Sequence, residues 1–340
     1  MVLFIVALIC HAAEWGFART VSSRSEGRSR VRRTSTAERR QRSLATVGGS
    51  ESEVAGTESG PDAEADPAAD PVGDEDRGVA DGAAEQLSAR ERRIEMAGRL
   101  GLNISLIATA CVVAGVVLRG IAAQRFPWGN MYEFTISAVA FIAIATVVMG
   151  YKFSMRWLGL PVALILSLTL GLAYTALYVD VAPLVPALTS PWFVIHIAGA
   201  TIAGAAFNLG ALASILYLIR SRMERKEKVS GYFTRMPSAE KLDAIAYRLH
   251  AFSFPLWTFA VAAGAVWAQS AWGRFWGWDP KETWALVTWV IYACYLHARV
   301  TAGWKGKRAA IIAIIGVASF WFNFYGVNIL FDGLHSYSGL

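Results

Sequence analysis

Charge is scarce in this 340-residue chain, where Asp, Glu, Lys and Arg together make up 17% of the residues. Alternating strand patterns are missing too, which excludes a transmembrane barrel, whose strands must alternate lipid-facing and lumen-facing residues. Cysteine is limited to Cys10, Cys111 and Cys294, each inside an apolar stretch and none in a C-x-x-C or C-x-x-C-H pattern. The chain is therefore neither a dithiol carrier nor itself a c-type cytochrome, and the three thiols read as small apolar side chains. The net charge of +6 is modest, and its placement speaks for topology, not for nucleic acid as a partner.

What the chain does have is apolar residues, 55% of the total, gathered in long blocks. A hydrocarbon core about 30 Å thick takes roughly 20 apolar residues as a helix. Blocks near that length run approximately Leu100–Leu118, Phe134–Tyr151, Trp157–Tyr178, Trp192–Leu218, Ala251–Ala271, Trp284–Ala298 and Ala309–Phe331, after a shorter one at Val2–Phe17. Because a segment in lipid must satisfy its own backbone hydrogen bonds, continuous blocks mean helices. The expected fold is all-α, a polytopic membrane helix bundle with about eight transmembrane helices, the first one short.

Lysine and arginine divide these loops into two sets. Loops 152–156, 220–248 and 299–308 carry 14 of them, whereas 119–133, 179–191, 272–283 and 332–340 carry four. The positive-inside rule makes the first set cytoplasmic. The segment 272–283 and the C-terminus then lie outside, in the periplasm or its equivalent.

The first block, residues 1–17, has its positive flank behind it, in Arg19 to Arg42, so a spanning first helix has its N-terminus outside. Its shortness points to a start further upstream, or to the latter half of a longer helix. Residues 18–98 pass from an Arg and Ser-rich stretch to an acidic, Ala, Gly and Pro-rich one, a composition expected to be a disordered cytoplasmic loop. Its basic part is expected against anionic lipid. Residues 99–340 form the remaining transmembrane domain.

The densest unusual cluster runs from Trp272 to Trp284 and holds Trp272, Trp276, Trp278 and Trp284 with Phe275, interleaved with glycine. Tryptophan at a membrane interface often serves as an anchoring belt. Four with glycine between them also offer rigid faces that a planar apolar ligand can approach closely. On spacing alone, belt and platform are equally supported. Asp279, Pro280 and Glu282 read as an N-cap, a first-turn proline and the third position of a capping box, which opens the next helix.

Histidine is rare, five in all. His196 and His335 fall at the outer ends of spans, at the level of the tryptophans. Taken singly, each reads equally well as a hydrogen-bonded core residue. Together with an aromatic platform they match the axial ligands of a heme iron. His297, beside Arg299 at the inner end of the seventh span, is by default a functional candidate as an ionisable group inside the membrane, and equally lies close enough to the interface to be merely solvated. His250 reads as interfacial, and His11 stays undecided.

The stretch Phe254–Arg299, the later Gly326–Tyr337 and the Asn130-Met-Tyr-Glu133 motif resemble the CcsA/ResC family of cytochrome c biogenesis proteins, called CcsB in actinobacteria. These are system II members of the heme-handling superfamily marked by a tryptophan-rich "WWD" segment. The resemblance covers roughly Leu100 to the C-terminus and leaves out residues 18–98. It implies a heme-handling domain over 99–340, with heme b as the ligand. By the family's pattern His196 and His335 ligate the iron, Trp272, Trp276 and Trp278 line the porphyrin face, and His297 belongs to an inner heme site completed by a ResB/CcsB-type membrane partner. The family often has Tyr where Phe275 stands, and the short first span departs from its pattern.

The mechanism implied is that heme enters near His297, reaches the outer site and is presented there to apocytochrome c, whose thiols add across the vinyl groups. Arg125 and Arg274 are the outward-side candidates for the propionates. The chain would be the heme-presenting subunit of a holocytochrome c synthase complex in the plasma membrane, with lipid as its surroundings. Three other readings stay open: a heme transporter without a part in attachment, a ligand-free scaffold with a thick aromatic belt, and a system I relative sharing the WWD segment.

Overall fold

The computed structural model describes residues 1–16, 72–229 and 231–335. Among these the secondary structure is helical throughout, with no strand. The helices are α1 (Val2–Gly16), α2 (Val72–Ala123), α3 (Met131–Lys152), α4 (Gly159–Ala176), α5 (Pro191–Arg225), α6 (Ala239–Trp272), α7 (Pro280–Val300) and α8 (Lys307–Trp321), with α8 running into a π-turn at Phe322–Gly326 and a last turn, α9 (Val327–Leu330). Six are long and apolar enough to cross a membrane, and α1 is a shorter apolar helix. The chain is a multi-pass membrane protein. Helix α7 is 21 residues long but falls outside that six. Its Trp284, Trp289, Tyr292 and Tyr295 count little on a hydropathy scale although they pack inside the bundle.

Two compact units emerge, Met1–Ala12 with Ala97–Leu340, and Ala13–Met96. Of the second, residues 72–96 are helical, the start of α2. The disorder expected over 18–98 does not hold for residues 72–98, which are helical and rich in Ala, Glu and Arg, good helix formers. The rest of that expectation, with the basic Arg19–Arg42 stretch, lies outside the described residues.

Within the first unit the central pair is α5 and α6, with α8 and α3 against α5 and α7 against α8. Small residues allow this. Helix α5 buries Gly199, Ala203, Gly204 and Gly210, the kind of face that lets helix backbones approach in lipid, where no hydrophobic force drives them together. A Cβ at Gly204 would stand 2.6 Å from the Phe320 ring, and one at Gly210 2.7 Å from the His250 ring. The core beneath is aromatic: Phe207 stacks on Tyr292 at 3.9 Å between ring centroids, with Trp257 and Phe320 around them.

Two expectations are corrected here. His250 is fully buried, not interfacial; α6 starts at Ala239, so the imidazole lies well inside the helix, 5.1 Å from both Tyr292 and Tyr295. Cys111 and Cys294 are exposed on the outer faces of their helices and Cys10 is half-buried, so these thiols do not fill the core. Gly210→Val should cost about 1–3 kcal/mol by overpacking, read as a lower thermal midpoint in detergent. Adding His250→Ala should recover part of the loss, since the two positions share one space.

Candidate functional site

The site begins where α6 stops. Gly273, at φ 73° in the left-handed region, caps α6 through its N–H to the Gln269 carbonyl, and glycine adopts that conformation without strain. The chain turns through Trp276 and through Trp278, which also has positive φ (58°), and α7 starts at once. The capping box is complete: Asp279 accepts from the Lys281 N–H, and Glu282 Oε2 accepts from the N–H groups of Asp279 and Gly277. A parallel device opens α3, where Asn130 accepts from the Glu133 N–H and Glu133 Oε2 from the Gly129 N–H at 2.7 Å. Glu133 also binds Arg119 at 2.9 Å and Arg125 at 2.7 Å.

Asp279 is more than a cap. Its Oδ1 accepts the Leu334 N–H at 2.8 Å, and its Oδ2 lies 2.8 Å from His335 Nδ1. The carboxylate thus orients one imidazole. His196, in the second turn of α5, is oriented by a backbone group, with Nδ1 2.7 Å from the Ala260 carbonyl of α6. Gly264 makes that reach possible, because a Cβ there would meet His196 Nδ1 at 2.7 Å. Both acceptors call for a proton on Nδ1, so the neutral form of each ring carries its lone pair on Nε2. That is how metal-binding imidazoles are prepared, a second partner fixing tautomer and ring plane.

Both imidazoles line one cavity of about 1110 Å³, open mouth included. Trp267 contacts both rings, stacked on His196 at 5.8 Å and edge-on to His335 at 5.3 Å, held by its indole N–H on the Ala187 carbonyl. Trp128, Trp257 and Trp276 complete the aromatic wall, and Lys281, Asn323 and Asn328 contribute polar groups.

The residues expected from sequence are thus partly gathered. His196, His335, Trp276 and Glu282 line the cavity. Trp272 packs behind His335 at 4.7 Å, and Trp278 is 68% exposed, edge-on to Trp276. Arg125 lies outside the lining, committed to Glu133 and to the carbonyls of Phe126 and Ala182. Arg274 is exposed and folds over Gly277. His297 is exposed and sits roughly 24 Å along α7 from Lys281. Sequence reasoning missed Trp128, Trp257, Trp267, Lys281 and Asn323. For α6 a signal existed, since Trp257, Gly264 and Trp267 recur at helical spacing on one face.

Residues 128–335 match the family described as "Cytochrome C assembly protein", a span that begins at Trp128 and ends at His335, two of the cavity's own residues. The chain belongs to the cytochrome c assembly family. It is similar to the cytochrome c biogenesis protein CcsA of Guillardia theta, 36% identical over 251 residues, covering 68% of this chain and 83% of that one. CcsA of Gloeobacter violaceus is 34% identical over 310 residues, 75% and 90% of the two chains. CcsA of Porphyra purpurea is 34% identical over 286 residues, 73% and 90%.

Burial by itself would raise the Asp279 carboxyl, but the hydrogen bonds from His335 and from the Leu334 and Lys281 N–H groups hold it below its ordinary value. A carboxyl depressed on folding stabilises the fold at all pH above its unfolded value of about 3.9, and that contribution is lost as pH falls through the folded value. Asp279→Asn should therefore lower the thermal midpoint at pH 6 and differ less and less from wild type as the pH is taken toward 3. It should also raise hydrogen exchange at Leu334.

Proposed function

We propose that this cavity holds heme b as cargo, ligated by His196 and His335, and presents it for covalent attachment to apocytochrome c. Family membership places the chain in cytochrome c biogenesis. The observation that carries the heme reading is the pair of imidazoles on one cavity wall, each with Nδ1 engaged and Nε2 available. Neutral imidazole is a common axial ligand of heme iron, and the indoles of Trp128, Trp257, Trp267 and Trp276 suit a flat apolar ring.

The chain's own part in the chemistry is positional. His196 is fixed by Ala260 and His335 by Asp279, so an iron between them would be held in one orientation, with its macrocycle against the tryptophans. Two axial nitrogen donors also shield the iron from other ligands. When an apocytochrome brings its own histidine and thiols to the cavity mouth, His335 is the ligand better placed to yield: it rides on a short C-terminal segment tied down by Asp279, whereas His196 sits inside α5. The thiols then add across the porphyrin vinyl groups, and the protein contributes approach and orientation.

The same reading places the protein in the plasma membrane with this end of the bundle outward, supported by the 14 against four division of Lys and Arg between the loop sets. Exposed His297, at the opposite end of α7, would form half of an inner heme site, with a ResB/CcsB-type partner supplying the rest of the synthase. Trp272 and Trp278 would act from behind His335 and at the cavity rim.

His196→Ala and His335→Ala should each abolish or shift the Soret band of the purified protein. An unchanged band in both variants overturns the ligand assignment. Co-expression with and without the ResB-type partner, scoring heme-stained cytochrome c, tests the attachment role. Intact c-type cytochromes without the partner would make the chain a heme exporter instead.

A further inference from the structure

Beyond the imidazoles and the aromatic wall, the cavity carries polar groups that the structure leaves unfinished. Trp128 Nε1 and Asn323 Oδ1 are buried with no hydrogen-bond partner, and Asn323 as a residue is 6% exposed. Most buried polar atoms in folded proteins are paired, and each that is not forfeits stability. Both residues line this cavity. Asn323 is brought there by the π-turn that interrupts α8, an extra-residue turn of a kind common at functional sites.

Lys281 lines the same cavity, and among the described residues its ammonium makes no ion pair. Two carboxylates stand near it in sequence, and both are occupied: Asp279 by His335, Leu334 and the Lys281 backbone N–H, Glu282 by the Gly277 and Asp279 N–H groups. The recorded contact of the ammonium is the Phe324 ring, 5.8 Å to the centroid. Position adds to the puzzle. Lys281 is the second residue of α7, the end of a helix where a cation is disfavoured by the backbone dipole, and it is half-buried where a lysine would ordinarily extend into water. Apart from the Phe324 ring and the nearby Asp279 carboxylate the fold sets nothing there to balance a cation, and an anionic ligand would balance it.

We infer that Lys281, Trp128 and Asn323 form a carboxylate seat in the cavity wall, which receives a propionate of the bound porphyrin. The inference rests on the heme reading and adds to it the group that recognises the ligand's acidic edge. The ammonium supplies the charge and the Trp128 indole N–H a directional donor. The Asn323 amide, turned to present its NH₂ group, gives a second donor. This replaces the expectation that Arg125 and Arg274 serve the propionates: the first is held by Glu133, which it shares with Arg119, and neither lines the cavity.

The test uses the full-length chain with its ResB-type partner, purified without heme and titrated at the Soret band with hemin and, separately, with hemin dimethyl ester. The ester keeps the iron and the macrocycle and removes both negative charges. Wild type should bind hemin about ten- to a hundredfold more tightly than the diester, the range expected for a charge-assisted hydrogen bond. In Lys281→Met that preference should fall to about twofold, with diester affinity and the Soret maximum unchanged because His196 and His335 are intact. Unchanged diester binding also shows that the variant folds. Lys281→Arg should keep the preference, and Trp128→Phe should reduce it about three- to tenfold.

Equal affinity of wild type for the two porphyrins, with a normal Soret response, overturns the seat and leaves the heme reading standing. So does a preference undiminished in Lys281→Met. No Soret response to either porphyrin overturns the heme reading, and the seat with it.

Discussion

One carboxylate joins the parts of this site. Asp279 caps α7, accepts the Leu334 N–H and accepts a hydrogen bond from His335 Nδ1, so the start of one helix and the segment Leu334–His335 are fastened at the same atom pair. A carboxylate can do this because it has about four acceptor directions. Its neighbour Glu282 takes two further N–H groups and keeps the preceding turn, with Trp276 in it, against the cavity. That shared acceptor works with the packing of the His335 ring on Trp267 and Trp272 to hold a segment whose residues Phe331 to Leu334 are exposed.

The opposite imidazole depends on a different constraint, the closeness of α5 and α6. His196 can reach the Ala260 carbonyl because Gly264 offers no side chain, and the helices can lie that close because Gly199 and its neighbours on α5 are small. A tight helix pair and an oriented histidine are thus one feature. The same economy recurs deeper in the bundle, where Gly204 and Gly210 make room for Phe320 and His250. Aromatic rings and an imidazole fill the space that glycine vacates at these positions, alongside branched aliphatic residues such as Leu209, Leu212 and Leu242 elsewhere in the interior.

Much of the fold was legible before any coordinate. Uninterrupted apolar blocks locate the membrane-crossing part of the helices, since lipid leaves the backbone no alternative, but not their polar extensions, for α2 begins at Val72 and α6 at Ala239. Asp279, Pro280 and Glu282 announced the start of α7, because capping is decided within four residues. Local information of this kind survives in the order of residues. Misjudged were the residues whose role is set by distant neighbours. His250 looked interfacial because the apolar run begins after it, and helix length and the packing of α7 put it in the core. Trp272 and Trp278 looked like the platform because they are close together in the chain. A turn with positive φ sends Trp278 outward, while Trp267, five residues before Trp272, takes the central place.

The sequence by itself determined an all-helical membrane bundle, its basic and aromatic ends, and the two histidines worth pairing. Each follows from hydropathy, charge or capping, which act over short separations. Only the tertiary structure decided which tryptophans face the cavity, that Asp279 orients His335 as well as capping α7, and that Lys281, with no ion pair among the described residues, lines the same cavity as Trp128 and Asn323. Those groups come from loops and turns up to two hundred residues apart, and nothing in their local spacing records where three helix ends meet.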